Sequence, residues 1–482
     1  MDGHIDAPSQ DAIEQLQDLL SRQQDAFNLD GFPTAEVRLD RLDRLRHAVL
    51  SNEDRIIQSI NADFGQRSTI ETRLAELNQI YSSIHHAKKM LHRWMKPRRV
   101  RATPMLLPAR GKVVPQPLGS VGVIAPWNYP LQLALVPLAG ILAAGNRAIL
   151  KPSELAPSLS ALMAEIIDAA FTEEEVAVVL GEADVAAAMA ALPFDHLIFT
   201  GSTAVGRLVS QAAAKNLTPL TLELGGKSPV ILDESSNLDL AVKRIVRAKL
   251  FNAGQTCIAP DYLMVPAQLQ SVVVDKVLAA AAKMYPSLRD NPDATAIVND
   301  RHYARLNGLL EDAKAKGATV KVATSNGART YERMMPLSVV TDTQDDMSVM
   351  EEEIFGPILP VLPYETLDAA LAYVRARPRP LSLYWFGKNA AGKDKVVNQA
   401  LAGGITINDC LLHNAHENLP FGGVGDSGTG AYHGQWGFDR FSHLKAVLLQ
   451  PHMAVGFDKF TPPFDTLAMR MLGFVNWFTK RG

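Results

Sequence analysis

The chain of 482 residues is 47% hydrophobic and 21% charged, enough apolar material for a sizeable core and two or more packed modules. Its formal net charge of -3, with no long run of one sign, excludes a dedicated nucleic-acid surface and suits small neutral or mildly charged ligands. Only two cysteines occur, Cys257 and Cys410, which excludes a disulfide framework, and the start Met1-Asp2-Gly3-His4 lacks the basic residues and apolar run of a secretory signal, so a reducing, cytoplasmic setting is expected.

Residues 11–27, 34–64 and 71–94 read as helices, the second with Val37, Leu42, Leu45, Val49 and Ile56 at helical spacing. They are expected to clothe a domain placed later. The basic cluster Lys96-Pro97-Arg98-Arg99-Val100-Arg101 reads as a solvated link between domains. From Lys112 the texture changes: Val113, Val114, Val121, Val123 and Ile124 around Gly119 read as strands ending at Pro126. The charge-poor stretch 129–145 is short for a membrane span and is interrupted by Pro130 and Pro137, so a buried helix is expected.

Strands and helices then alternate: strand 147–150, helix 158–171, strand 176–180, helix 185–191, strand 196–200. That order implies a parallel sheet covered by helices on both faces, an α/β architecture. A second alternation follows, with strands at 229–232 and 263–265 and helices at 238–248 and 272–284, which places a boundary near Glu223. The tail 463–482 carries Leu467, Met471, Leu472, Val475, Trp477 and Phe478 with Arg470, Lys480 and Arg481. It suits an amphipathic helix, docked on the protein itself or on a partner subunit, with a membrane surface as the lesser alternative.

Gly423-Val424-Gly425-Asp426-Ser427-Gly428 matches the dinucleotide fingerprint G-x-G-x-x-G letter by letter. The fingerprint works only where a strand delivers the chain to the glycine turn and a helix N-terminus meets the pyrophosphate. Asn418-Leu419-Pro420-Phe421 is not a convincing strand and no helix-forming sequence follows, so the segment reads as a glycine-rich structural loop. A better phosphate site is Thr200-Gly201-Ser202-Thr203-Ala204-Val205-Gly206, where a strand ends and a helix begins, although any glycine turn with a serine cap looks the same. Lys151-Pro152-Ser153-Glu154 adds a cation and a carboxylate at the edge of the same sheet. There Glu154 is a ribose acceptor or, equally, part of a solvated turn.

Cys257 lies in Phe251-Asn252-Ala253-Gly254-Gln255-Thr256-Cys257-Ile258-Ala259-Pro260, at the end of an expected helix. A lone cysteine is more often an inert buried hydrophobe. Three features favour chemistry: the Gly254 turn, the polar Gln255-Thr256, and the upstream Glu223 in Leu222-Glu223-Leu224-Gly225-Gly226-Lys227, whose burial would raise its pKa and suit it to proton transfer. Asn128, held between Trp127, Tyr129 and prolines, offers an amide N–H to an oxyanion, against the commoner reading of a structural turn amide.

Taken with Glu352-Glu353-Ile354-Phe355-Gly356-Pro357, these segments resemble the aldehyde dehydrogenase superfamily over most of the chain, from about Val113 to Leu449. The short N-terminal region, Thr256 to Tyr262, and Pro420 to Gly434 are similar to its class 3 branch, and within it to the bacterial coniferyl aldehyde dehydrogenases. The resemblance implies a Rossmann-type nucleotide domain (1–95 and 120–223), an α/β catalytic domain (224–413), and a β bridging or oligomerisation segment with a C-terminal tail (96–119 and 414–482). It implies Cys257 as nucleophile, Glu223 as general base, and Asn128 with the Cys257 backbone N–H as oxyanion hole. Trp127, Lys151, Glu154, Gly201, Ser202, Gly206 and Leu224 would face the cofactor, NAD or alternatively NADP. Glu353 would hold the nicotinamide ribose and Phe355 would pack near the nicotinamide. No metal is expected, a homodimer is, and the substrate is an aldehyde, aromatic such as coniferyl aldehyde or aliphatic. Glu417-Asn418-Leu419 departs from the branch by placing an acidic residue before the glycine-rich loop.

Overall fold

The computed structural model describes residues 10–103, 106–323, 333–453, 458 and 460–480. Its strands form three sheets. The first has six strands in the order Gly428–Thr429, Leu220–Glu223, His196–Thr200, Ser120–Ile124, Arg147–Lys151 and Val176–Val178, all parallel except the antiparallel Gly428–Thr429. The second has seven, in the order Thr319–Val322, Ser338–Thr341, Ile358–Tyr364, Tyr262–Pro266, Pro229–Leu232, Ser382–Phe386 and Gly404–Ile407, with only Thr319–Val322 antiparallel. The third is a small antiparallel sheet of Arg98–Val100, Arg110–Pro117 and Ser442–Leu449. The α/β class inferred from alternation therefore holds, and Glu223 ends the last parallel strand of the first sheet, six residues before the second begins.

The N-terminal helices pack as expected: Leu42, Leu45, Ile56, Ile60, Ile80 and Ile84 share one core with the first sheet and with the helix Gln132–Ala144. Two of the expected helices are divided. Residues 34–64 form Ala35–Leu50 and Glu53–Phe64, because the Asn52 amide turns back to the Ala48 carbonyl (2.9 Å) and competes with the helical ladder. Val37, counted on the apolar face, is exposed. Residues 71–94 form a short helix Thr69–Thr72, a π-helical turn Arg73–Leu77 and the helix Asn78–Met95. The charge-poor stretch is the buried helix Gln132–Ala144, and among the described residues no helix is long and apolar enough to cross a membrane.

Gly428–Thr429 hydrogen-bonds to Glu223 and Leu222, so this piece of the stretch 414–482 belongs to the first sheet rather than to the bridging sheet. The helix Gly434–Arg440 also packs on the N-terminal helices, with Phe438 against Trp94 (5.6 Å between ring centres). The glycine-rich segment is a loop closed by a Gly425–Gly428 bridge, with no helix after it until Gly434. The tail forms the helix Thr466–Thr479, in which, among the described side chains, Ala468 is buried, Met471 and Val475 are half-buried, and Leu467, Met469, Leu472 and Phe474 are exposed. Arg481 and the side chain of Phe478 lie outside the described residues.

Candidate active site

In the first sheet, the chain leaves Ser120–Ile124 toward one edge and leaves His196–Thr200 toward the other, so a crevice opens between the carboxyl ends of these two strands. Such a switch point is where open α/β sheets bind ligands. The carboxyl ends carry Lys151, Thr200 and Glu223, and the loop after Ile124 carries Trp127 and Asn128. Ser202 caps the helix Thr203–Ala214, its hydroxyl accepting from the Val205 N–H (3.4 Å). Gly206 lets that helix close on the strand: a Cβ there would sit 2.6 Å from Leu224 Cδ2. Leu224 is buried beneath the helix, and its N–H donates to the Ser427 carbonyl (3.0 Å).

These residues fit a dinucleotide. The capped helix N-terminus, with Gly201 before it, presents N–H groups to a phosphate. The Lys151 ammonium donates to Glu154 (2.6 Å), so the edge of the crevice holds a paired cation and carboxylate suited to a neutral ribose diol. Glu353 enters from the second sheet's loops. A Cβ on Gly225 would fall 2.1 Å from its Oε2, so the Leu-Glu-Leu-Gly-Gly and Glu-Glu-Ile-Phe motifs meet face to face. Lys227 holds this junction by donating to the Glu352 and Val349 carbonyls (both 2.8 Å), and Asp261 accepts from the Ile354 N–H (2.9 Å). Phe355, at φ +52°, meets Trp127 edge to face (5.4 Å), and Trp127 also lies against His302 (5.0 Å).

The helix Leu238–Leu250 delivers the chain to a tight turn in which Asn252, Ala253 and Gly254 all take positive φ. Gly254 is required twice over: its φ is +75°, and a Cβ would lie 2.5 Å from the Gly356 carbonyl oxygen. Gln255 then locks the loop from inside. Its amide donates to the Asn252 and Ala296 carbonyls (3.1 and 3.0 Å) and accepts from the Val298 N–H (2.9 Å). Asn128 joins the same network, donating one N–H to the Gln255 carbonyl (3.1 Å) and leaving the other N–H of its amide for a ligand.

A buried ion pair absent from the sequence reading orders Asn128. Arg67 donates to the Asn128 carbonyl (2.8 Å), is stacked between the rings of Phe64 and Tyr129, and pairs with Glu76 (3.3 Å), both side chains being fully buried. Glu76 in turn accepts from the N–H groups of Leu131 and Gln132 (3.0 and 2.8 Å) at the start of the helix Gln132–Ala144. The π-helical turn Arg73–Leu77 carries Glu76 inward. Removing either charge would leave its partner unpaired out of water, a loss of about 3–5 kcal/mol, so the pair fixes this corner rigidly. An arginine between two helices carries no sequence signature of such a role.

Glu223 is buried, and neither of its oxygens has a hydrogen-bond partner. Burial raises its pKa well above the carboxylate range, against the opposing charge of Arg440. Glu353 is pushed up to about 8, chiefly by burial and then by Asp261. Cys257 is half-buried, and burial, followed by the Glu353 and Glu223 carboxylates, pushes its thiol up to about 12. Cys257 is therefore a thiol at neutral pH, in a site where burial also favours the protonated form of the carboxyl groups near it. Below pH 12 the thiolate fraction grows tenfold per pH unit. Alkylation by iodoacetamide of cofactor-free protein, followed on the peptide carrying Cys257, is expected to rise about tenfold per unit from pH 7 to 10. A plateau by pH 8 would contradict this.

Cys257 opens onto a cavity of about 270 Å³ lined by Tyr129, Gln132, Leu133, Thr256, Leu411 and Phe421 among others. Cys410 also lines it but is fully buried. Glu417 lies outside this lining, half-buried, with Oε2 unpaired and its pKa pushed up to about 7 by burial. Among the described residues no cluster of His, Cys, Asp and Glu has the make-up of a metal site.

Comparison with known proteins agrees with this geometry. The family model described as "Aldehyde dehydrogenase family" matches residues 9–447. A protein of Pseudomonas aeruginosa named "Probable coniferyl aldehyde dehydrogenase" is 48% identical over 443 residues, covering 92% of each chain. The coniferyl aldehyde dehydrogenase of Pseudomonas sp. strain HR199 is 46% identical over 441 residues, covering 91% of each. Among solved structures, the substrate-bound state of Staphylococcus aureus AldH superposes with a TM-score of 0.90 at 37% identity, over 96% of this chain and 99% of the other. With a matching family model over nearly the whole chain and relatives up to 48% identical over about nine-tenths of its length, the protein belongs to the aldehyde dehydrogenase family and is an oxidoreductase acting on aldehydes.

Proposed function

We propose that the protein oxidises an aldehyde, aromatic such as coniferyl aldehyde or aliphatic, to the carboxylic acid with NAD, or alternatively NADP, through a thioester on Cys257. The observation that carries this reading is the Cys257 thiol opening onto a largely apolar cavity, with the unpaired Glu223 carboxyl group near enough to raise its pKa and Asn128 bonded to the Gln255 carbonyl two residues before it. Deprotonated Cys257 adds to the aldehyde carbon, and the Asn128 amide with the Cys257 backbone N–H stabilises the alkoxide in a site that excludes bulk water. The cofactor supplies the hydride acceptor. Glu223, once ionised, takes a proton from water as that water attacks the thioester, and the acid is released.

Lys151, Glu154, Gly201, Ser202 and Gly206 would bind the adenosine and pyrophosphate side, with Leu224 beneath it. Trp127, Glu353 and Phe355 would bound the nicotinamide side. Glu154 would repel a 2′-phosphate, which favours NAD. We also propose the division into a nucleotide domain (1–95 and 120–223), a catalytic domain (224–413) and a bridging segment (96–119 and 414–482) whose Gly428–Thr429 strand reaches back into the first sheet. In that arrangement a homodimer forms through the small sheet, where the strand Ser442–Leu449 leaves an edge unpaired among the described residues and exposes Leu444, Leu448 and Leu449. The deciding experiment is product analysis: purified protein with coniferyl aldehyde or hexanal and NAD is expected to release free acid and NADH in equal amounts without coenzyme A. A strict requirement for coenzyme A would convert the reading to an acylating enzyme.

A further inference from the structure

The cavity beside Cys257 is mostly apolar, yet one buried polar side chain in its wall has no partner among the described residues. Gln132 is only 4% exposed, its backbone is pinned by the Glu76 carboxylate (2.8 Å), and its side-chain amide makes no hydrogen bond among the described residues. The residue lines the cavity wall. The other polar groups of the lining differ. Thr256 is engaged by the Tyr129 hydroxyl (2.7 Å), Arg247 is paired with Asp409 (2.6 Å), and Gln79 and Asn414 are half-buried and keep contact with solvent.

A ligand that fills the cavity strips water from the Gln132 amide. A hydrocarbon substrate would leave both its carbonyl and its N–H₂ group unpaired, which is costly, whereas a substrate carrying a hydroxyl or ether oxygen would satisfy them. A site built to bond such an oxygen discriminates against the analogue that lacks it. The volume, about 270 Å³, lies just below the range of roughly 300–1,000 Å³ usual for drug-sized ligands, which suits one ring and a short side chain.

We propose that Gln132 is a specificity-determining residue that hydrogen-bonds a ring hydroxyl or methoxy oxygen, so that the enzyme prefers oxygenated aromatic aldehydes to their hydrocarbon analogues. This rests on the reading of Cys257 as the site of aldehyde oxidation. The test compares kcat/KM for coniferyl aldehyde and for cinnamaldehyde, which share the reacting group and differ only in ring oxygens. The wild-type ratio is expected to favour coniferyl aldehyde by roughly tenfold, and Gln132→Leu, close in size but without the amide, is expected to bring it near one. Gln132→Met serves as a second variant should the first fail to fold, with circular dichroism as the check.

A wild-type ratio near one, or a ratio unchanged in both variants, would overturn the role of Gln132 while leaving aldehyde oxidation intact. If the wild type oxidises neither cinnamaldehyde, coniferyl aldehyde nor hexanal, the reading of the site fails and the proposal falls with it. The two failures are thus distinguishable in one set of assays.

Discussion

Cys257→Ala is expected to abolish NADH formation with every aldehyde, a fall of at least about 10⁴-fold in kcat, because no other group stands in position to carry the acyl intermediate. Cys410, the remaining thiol, lines the same cavity but is fully buried, with its pKa raised well above that of an ordinary thiol by burial, so it is not a substitute nucleophile. The variant should fold normally. Cys257 is half-buried in a loop whose shape is set by Gly254, Gln255 and Asn252, none of which uses the sulfur. Steady-state absorbance at the reduced nicotinamide band, with circular dichroism to confirm the fold, checks both points. Full activity in Cys257→Ala would sink the thioester mechanism.

Glu223→Gln has a different signature. A glutamine keeps the volume and the buried position but accepts no proton, so attack of the thiol on the aldehyde and loss of hydride should persist while hydrolysis stalls. Rapid mixing is expected to show a burst of close to one NADH per site, followed by a steady state slower by about 10²- to 10⁴-fold, the usual worth of a positioned base. The acyl-enzyme should be visible as a mass increase on the peptide carrying Cys257. Burial holds the Glu223 pKa above the usual carboxylate range, with Arg440 opposing, so the wild-type hydrolytic step should accelerate as pH rises and the carboxyl group ionises. An unchanged steady-state rate in Glu223→Gln would assign the base elsewhere.

The candidate site could be read from the chain to the extent that its chemistry is local. Gly254-Gln255-Thr256-Cys257, Leu222-Glu223-Leu224-Gly225-Gly226 and Trp127-Asn128-Tyr129 each bring the residue of interest together with the glycines, prolines or amides that shape its backbone, and short segments of that kind are visible without a fold. The alternation of strands and helices likewise indicated a parallel sheet, whereas the switch-point crevice followed only from the observed strand order. Rejection of the Gly423-to-Gly428 fingerprint rested on the same local logic, and the segment is a loop with a two-residue strand on Glu223.

Other features required the tertiary structure, because they depend on which side chains the packed chain buries and which partners it leaves them. The break at Asn52 and the π-helical turn at Arg73–Leu77 interrupt what periodicity reads as continuous helices, since period alone does not register a side chain that turns back onto its own backbone or a carboxylate drawn inward by a distant arginine. Arg67 and Glu76 look like ordinary surface charges in the sequence. Only packing shows them fully buried, holding Asn128 and the start of the helix Gln132–Ala144. Glu154, which the sequence leaves as a ribose acceptor or part of a solvated turn, is bonded to Lys151. Gln132 sits among apolar residues in the chain, and its meaning depends on which wall of which cavity it faces. Reactive groups and parallel strands could be identified from the chain, because both follow from short-range covalent and steric rules. The folded structure alone decided which of those groups are dry, paired or left waiting for a ligand, because burial and hydrogen-bond satisfaction are properties of the whole packed chain.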